Sequence, residues 1–119
     1  MKKAVSMFGL LALLFAAISF AAIHTHADSK TMTWKGWISD SHCGAKGMSA
    51  DHKACAETCV KSKGASWVFV DTRTKKVIPI ENQDAIKPDH DLGQEMILRG
   101  HLTDKGAVHV DTLSKTGAA

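Results

Sequence analysis

The stretch Gln94-Glu95-Met96-Ile97-Leu98-Arg99-Gly100-His101-Leu102, with Ala107-Val108-His109-Val110-Asp111-Thr112-Leu113 after it, decides the fold class. Met96, Leu98, Gly100 and Leu102 alternate with Glu95, Ile97, Arg99 and His101, the period of a strand with one buried face. Asp104-Lys105-Gly106 between the two runs is a hairpin turn signal. The return run points Val108 and Val110 inward, which leaves His101 and His109 as cross-strand neighbours on the opposite face.

Working upstream, Trp67-Val68-Phe69-Val70-Asp71 is aromatic and β-branched and pairs with residues 76–80 across the polar turn Thr72-Arg73-Thr74-Lys75. Pro79 marks an edge or a bulge. Residues 82–87 read as one helical turn with Asn82 as cap, stopped by Pro88. A first strand spans residues 33–40, with Trp34, Gly36 and Ile38 on one side and Trp37 on the other. Gly36 inside it predicts a bulge or sharp bend. Between the first two strands, Gly44 and Gly47 punctuate a loop and residues 49–63 read as a helix. Ser49 is its N-cap, Asp51 complements its positive end, Lys61 and Lys63 its negative end, and Gly64 takes the left-handed closing position. The expected fold is mainly β: a small five-stranded OB-like barrel, since closure removes exposed edges, with one α-helix inserted after strand 1. An open antiparallel sheet with the helix across one face is the alternative.

Residues 1–27 read as a signal peptide, an N-terminal signal helix ahead of a single exported domain spanning residues 28–119. Lys2 and Lys3 open it, an apolar run from Ala4 to Phe20 follows, and small residues precede the cut after Ala27, with a cut after Ala21 as the alternative. An uncleaved anchor is the competing reading, but the run is borderline for spanning a bilayer, so no stable membrane span is expected after cleavage. The destination is periplasmic or secreted. Loss of Lys2 and Lys3 lowers the formal charge from +3 to +1. A near-neutral domain offers no broad platform for phosphate backbones, and nucleic-acid binding is not expected.

Export makes the cysteine count matter. Cys43, Cys55 and Cys59 are an odd set in an oxidising compartment. The leading reading is a structural disulfide among Cys43, Cys55 and Cys59, with the third thiol left over or joined to a second chain in a disulfide-linked dimer. The alternative is a metal site. His52, Cys55 and Cys59 are spaced i, i+3, i+7 and share one helix face, Cys43 lies in the preceding loop beside His42, and four such ligands suit tetrahedral zinc or copper(I). A third reading is a thiol redox protein using the spare cysteine. The chain has no Cys-x-x-Cys-His for haem, no thioredoxin-like Cys-x-x-Cys and no glycine-rich phosphate loop, and no catalytic residue or organic cofactor is expected.

Gly36-Trp37-Ile38-Ser39-Asp40-Ser41, Cys43-Gly44, Cys55-x-x-x-Cys59, residues 66–70, Asn82-Gln83-Asp84-Ala85 and Gly100-His101-Leu102 together resemble a family of small exported bacterial proteins of unknown function. The resemblance covers nearly the whole of residues 33–114 and implies an OB-like exported domain, with no activity attached. Members of that family often carry a histidine four residues after the first cysteine; here that position is Gly47.

The remaining candidates have plain explanations. Trp34, Trp37 and Trp67 serve packing ahead of a stacking platform. His101 and His109, even with His90, read as solvated histidines ahead of a metal site. Asp40, Asp71, Asp84, Asp89 and Asp91 suit turn and cap duty. The expected function is therefore a non-enzymatic exported binding or structural module whose ligand is an unknown small molecule, peptide or glycan.

Overall fold

The computed structural model describes residues 30–117. The signal peptide and its helix, residues 1–27, lie outside the described residues. Five strands form one antiparallel sheet: β1 (Met32–Asp40), β2 (Trp67–Asp71), β3 (Val77–Pro79), β4 (Glu95–Leu102) and β5 (Val108–Lys115), in the order β3-β2-β1-β4-β5. The helix α1 (Lys53–Ser62) follows β1 through two short 3-10 turns, Gly44–Gly47 and Ala50–His52. A single-turn helix, α2 (Pro88–Asp91), precedes β4.

The alternation in residues 94–102 predicts the core. Met96 and Leu98 are fully buried, and Leu98 shares one apolar cluster with Phe69, Val108 and Trp67. Leu102 departs from it. β4 runs past the core at that end, and Leu102 is 42% exposed. From α1 come Ala56, which joins the core, and Val60, which packs against it. Its closing glycine, Gly64, sits at φ +70°, and both Lys63 N–H and Ala65 N–H donate to the Cys59 carbonyl at 3.1 Å, a left-handed stop that satisfies a terminal carbonyl. Ser49, the expected N-cap, leads the 3-10 turn Ala50–His52 in extended conformation without a side-chain hydrogen bond, and His52 stands at the N-cap of α1.

Gly36 answers to close approach rather than to a bulge. Its register with β2 and β4 is continuous, and a Cβ there would overlap the Val70 carbonyl oxygen and the Phe69 ring. The irregularity falls instead between Arg99 and Gly100, where β4 shifts register against β5 and a Cβ on Gly100 would overlap the His109 carbonyl.

The expected closed barrel is not formed; the sheet is open. The reason lies in β3, which has three residues and ends on a proline that lacks an N–H to donate. Beyond it, the two sheet edges meet at one parallel bridge, Ile80 to Val108, with Glu81 N–H donating to the Val108 carbonyl at 2.8 Å. Side chains extend this seam. Asn82 Nδ2 donates to the Val110 carbonyl at 2.9 Å, and its Oδ1 accepts Val110 N–H at 2.8 Å. Gln83 does the same for β2: Oε1 accepts Trp67 N–H at 2.6 Å, while Nε2 donates to the carbonyls of Trp67 at 2.9 Å and Ile80 at 2.7 Å. Asn82 thus leads the short 3-10 turn Gln83–Ala85 by position only, its amide being committed to β5. Pro88 opens α2 at its first turn rather than merely ending what precedes it.

Truncating the clamp leaves the N–H and C=O of the buried Val110 without partners. Asn82→Ala is expected to lower unfolding free energy by roughly 2–3 kcal/mol, read from the urea midpoint, with an exposed control such as Asp84→Ala close to neutral.

Candidate metal centre

At its carboxyl end β1 delivers Ser39 and Asp40 into the space under the first 3-10 turn, and both are fully buried. Ser39 Oγ donates to the Gly44 carbonyl at 2.8 Å. Asp40 Oδ2 accepts the backbone N–H groups of His42 and Cys43, each at 3.0 Å. This is the aspartate-capped turn expected of an Asp three residues before a loop cysteine, and it fixes the direction in which Cys43 leaves the sheet. The loop is also tied to the start of β2: Ser41 N–H donates to Ser66 O at 2.9 Å and Ser66 N–H to Ser41 Oγ at 3.0 Å.

The other carboxylate oxygen, Oδ1, lies 2.8 Å from His52 Nε2. Burial pushes the Asp40 carboxyl up, but the hydrogen bond from His52 and those from the backbone of Cys43 and His42 outweigh it and hold the group below the ordinary aspartate range. An ionised Asp40 makes Nε2–H the donor, so His52 Nδ1 carries the free lone pair.

Cys43, His52 and Cys55 offer ligand atoms that all lie within 4.8 Å of one another, and Asp40, His42 and Cys59 form an adjoining group that meets the same limit. Cys55 joins the two, its thiol being close enough to act on those of both Cys43 and Cys59. A tetrahedral zinc, with sulfur at about 2.3 Å and nitrogen at about 2.0 Å, holds its ligand atoms roughly 3.5–3.8 Å apart, so the Cys43, His52 and Cys55 group needs only a modest contraction. Of the residues expected from helix spacing, His52 and Cys55 lie with the loop cysteine Cys43, whereas Cys59 lies in the adjoining group with Asp40 and His42. Cys59 is buried, Cys43 half-buried and Cys55 exposed, and all three are free thiols. Burial, then the Asp40 carboxylate, then Cys55 push the thiols of Cys43 and Cys59 up. Lys46 near Cys43 and Lys63 near Cys59 act in the opposite sense but do not offset this.

Gly47 stands where the resembling family often has histidine. A Cβ at residue 47 would overlap Ser39 Oγ and press on the His52 ring. The imidazole of His52, arriving from the helix side, fills the space a side chain at 47 would need.

Asp40 is the member that the sequence alone assigns only to turn duty. It performs that duty and also orients His52. The other candidates disperse. Trp67 is in the core and Trp34 packs against it, the packing role expected of them. Trp34 also lines an open groove of about 470 Å³ with Lys35, Asp71 and Arg73. Asp71 Oδ1 accepts the N–H groups of Arg73 and Thr74 in the β2–β3 turn, and Asp91 Oδ2 accepts that of Lys87. Among the described residues no helix is long and apolar enough to cross a membrane. Comparison with family models, curated proteins and solved structures finds no match for the chain.

The depressed Asp40 acidity gives a signed expectation. A carboxyl whose folded value lies below its unfolded value stabilises the fold fully above the unfolded value, and that contribution is lost as pH falls through the folded one. Asp40→Asn should therefore cost about 1–2 kcal/mol at neutral pH and progressively less below about pH 4. Urea unfolding of both proteins across that range measures it; a constant difference would contradict the assignment.

Proposed function

We propose that the protein is an exported metal-binding module that takes a soft or borderline cation, zinc(II) or copper(I), on Cys43, Cys55, Cys59 and His52. One observation carries the reading: a fully buried carboxylate holds His52 Nε2, and the imidazole so oriented has a ring nitrogen within 4.8 Å of the thiols of Cys43 and Cys55. A simple disulfide staple has no use for that arrangement, whereas metal-ligating histidines characteristically donate their second nitrogen to a carboxylate. The electrostatics point the same way. Three sulfurs gathered beside Asp40 disfavour one another as thiolates until a cation offsets the charge.

The reading is non-enzymatic, with Asp40 as the residue that positions His52. The OB-like description of the domain belongs with it. The strand order, and the parallel meeting of the β3 and β5 edges at Ile80 and Val108, support that description. A second reading is favoured by the position of Cys55 between the other two thiols. Oxidised protein would pair Cys55 with Cys43 or with Cys59, leaving one thiol over.

Metal content and thiol count decide between them. Protein purified anaerobically should carry one zinc or copper per chain and release three titratable thiols only after chelation. Cys55→Ser should abolish stoichiometric binding, and Asp40→Asn should weaken it by about 10–100-fold with the ligands intact. Because Cys43 and Cys59 bind protons more tightly than ordinary thiols, affinity should fall as pH drops through the neutral range. Metal-free native protein with a single reactive thiol would establish the staple instead.

A further inference from the structure

We propose a second metal site on the β4–β5 hairpin, made by His101 and His109 and suited to a borderline divalent cation such as nickel(II), copper(II) or zinc(II). The two residues face each other in register across the strands. Their rings stack with centroids 5.0 Å apart and an interplanar angle of 23°. Stacking alone would describe a solvated pair. What sets this pair apart is the carboxylate at each ring. His109 Nδ1 lies 2.8 Å from Glu81 Oε2, and His101 Nδ1 lies 3.8 Å from Asp111 Oδ2.

A carboxylate at Nδ1 selects the tautomer with the proton on that nitrogen and leaves the Nε2 lone pair free. Glu81, at hydrogen-bond distance, therefore prepares His109 with Nε2 as the ligand atom, while Asp111, beyond hydrogen-bond distance, adds negative charge beside His101. Both side chains are partly solvent-exposed, so a hydrated cation can reach them. The scaffold is rigid. Gly100 and Val108, the residues before each histidine, are buried, and Glu81 is anchored by its own N–H to the Val108 carbonyl at 2.8 Å. Imidazole ligands with water completing the shell suit borderline metals, in contrast to the sulfur-rich cluster at the helix. This site does not depend on the cysteine reading.

Nickel(II) is the probe, since its paramagnetism reports position. Titrated into the reduced ¹⁵N-labelled protein, it should broaden amide resonances around His101 and His109, separately from any response around Cys55. His101→Ala and His109→Ala should each abolish the hairpin response while leaving the urea midpoint and the response near Cys55 unchanged. Glu81→Gln, which keeps both ligands, should weaken nickel binding at the hairpin by about tenfold or more. No broadening at the hairpin at millimolar nickel, or broadening that survives both histidine substitutions, would overturn the site. A hairpin response leaves this site standing whatever zinc or copper(I) binding shows of the cysteine centre.

Discussion

The candidate centre depends on one carboxylate kept away from water. Asp40 is fully buried at the end of β1, and a buried charge is tolerated only when its lone pairs are engaged. Three donors engage it: the N–H groups of His42 and Cys43, and the imidazole of His52. Each belongs to a segment that must be placed correctly for the cysteines to meet. The turn aims Cys43, and the imidazole fixes where the 3-10 turn Ala50–His52 hands over to α1, which in turn sets the position of Cys55 and Cys59. The carboxylate thus converts the end of a strand into a reference point for a loop and a helix that share little core. α1 offers the interior only Ala56, Cys59 and part of Val60, too little apolar surface to fix its orientation by packing alone.

A similar economy of side chains operates at the sheet edges. Exposed edges invite pairing with other chains, and β3 is too short to close the sheet. Asn82 and Gln83, adjacent in sequence, carry primary amides that copy the donor and acceptor of a peptide group. One amide pairs with Val110 of β5 and the other with Trp67 of β2. Two side chains thereby span a gap that a longer third strand would otherwise have to fill, and the interior around Phe69 and Leu98 is shielded without full closure.

Much of this was legible in the chain. The alternation from Met96 to Leu98, the Trp67–Asp71 run, the Asp104-Lys105-Gly106 turn and Gly64 as a helix stop each act through neighbours within a few residues, so local pattern suffices to read them. Helix periodicity likewise put His52, Cys55 and Cys59 on one face. Other features depend on partners distant in sequence. Nothing near Asn82 distinguishes an amide that caps a turn from one that clamps Val110, a residue on another strand. Gly36 reads as a bend because its true constraint, the Phe69 ring, arrives from β2. Barrel closure was overestimated because counting strands ignores how few residues β3 can pair before Pro79. Asp40 lies between these classes. Its turn role is local and readable, while its bond to His52 spans the whole loop and appears only once the chain has folded.

The same contrast bears on why the thiol cluster takes the form it does. A disulfide needs two sulfurs at a fixed separation and no charge nearby. A cation needs several donors, tolerates a spread of separations, and gains from anionic surroundings. The surroundings of Cys43 and Cys59 raise the cost of their thiolate forms through burial and through Asp40, which suppresses thiolate attack and slows disulfide exchange. Asp40 therefore works against the covalent outcome and for the ionic one. On the proposed metal-binding reading, a buried aspartate that keeps neighbouring thiols protonated until a cation arrives would preserve reduced sulfur against oxidation. Replacing that carboxylate would weaken metal binding and hasten oxidation together, a coupling that a staple held only by sulfur chemistry does not produce.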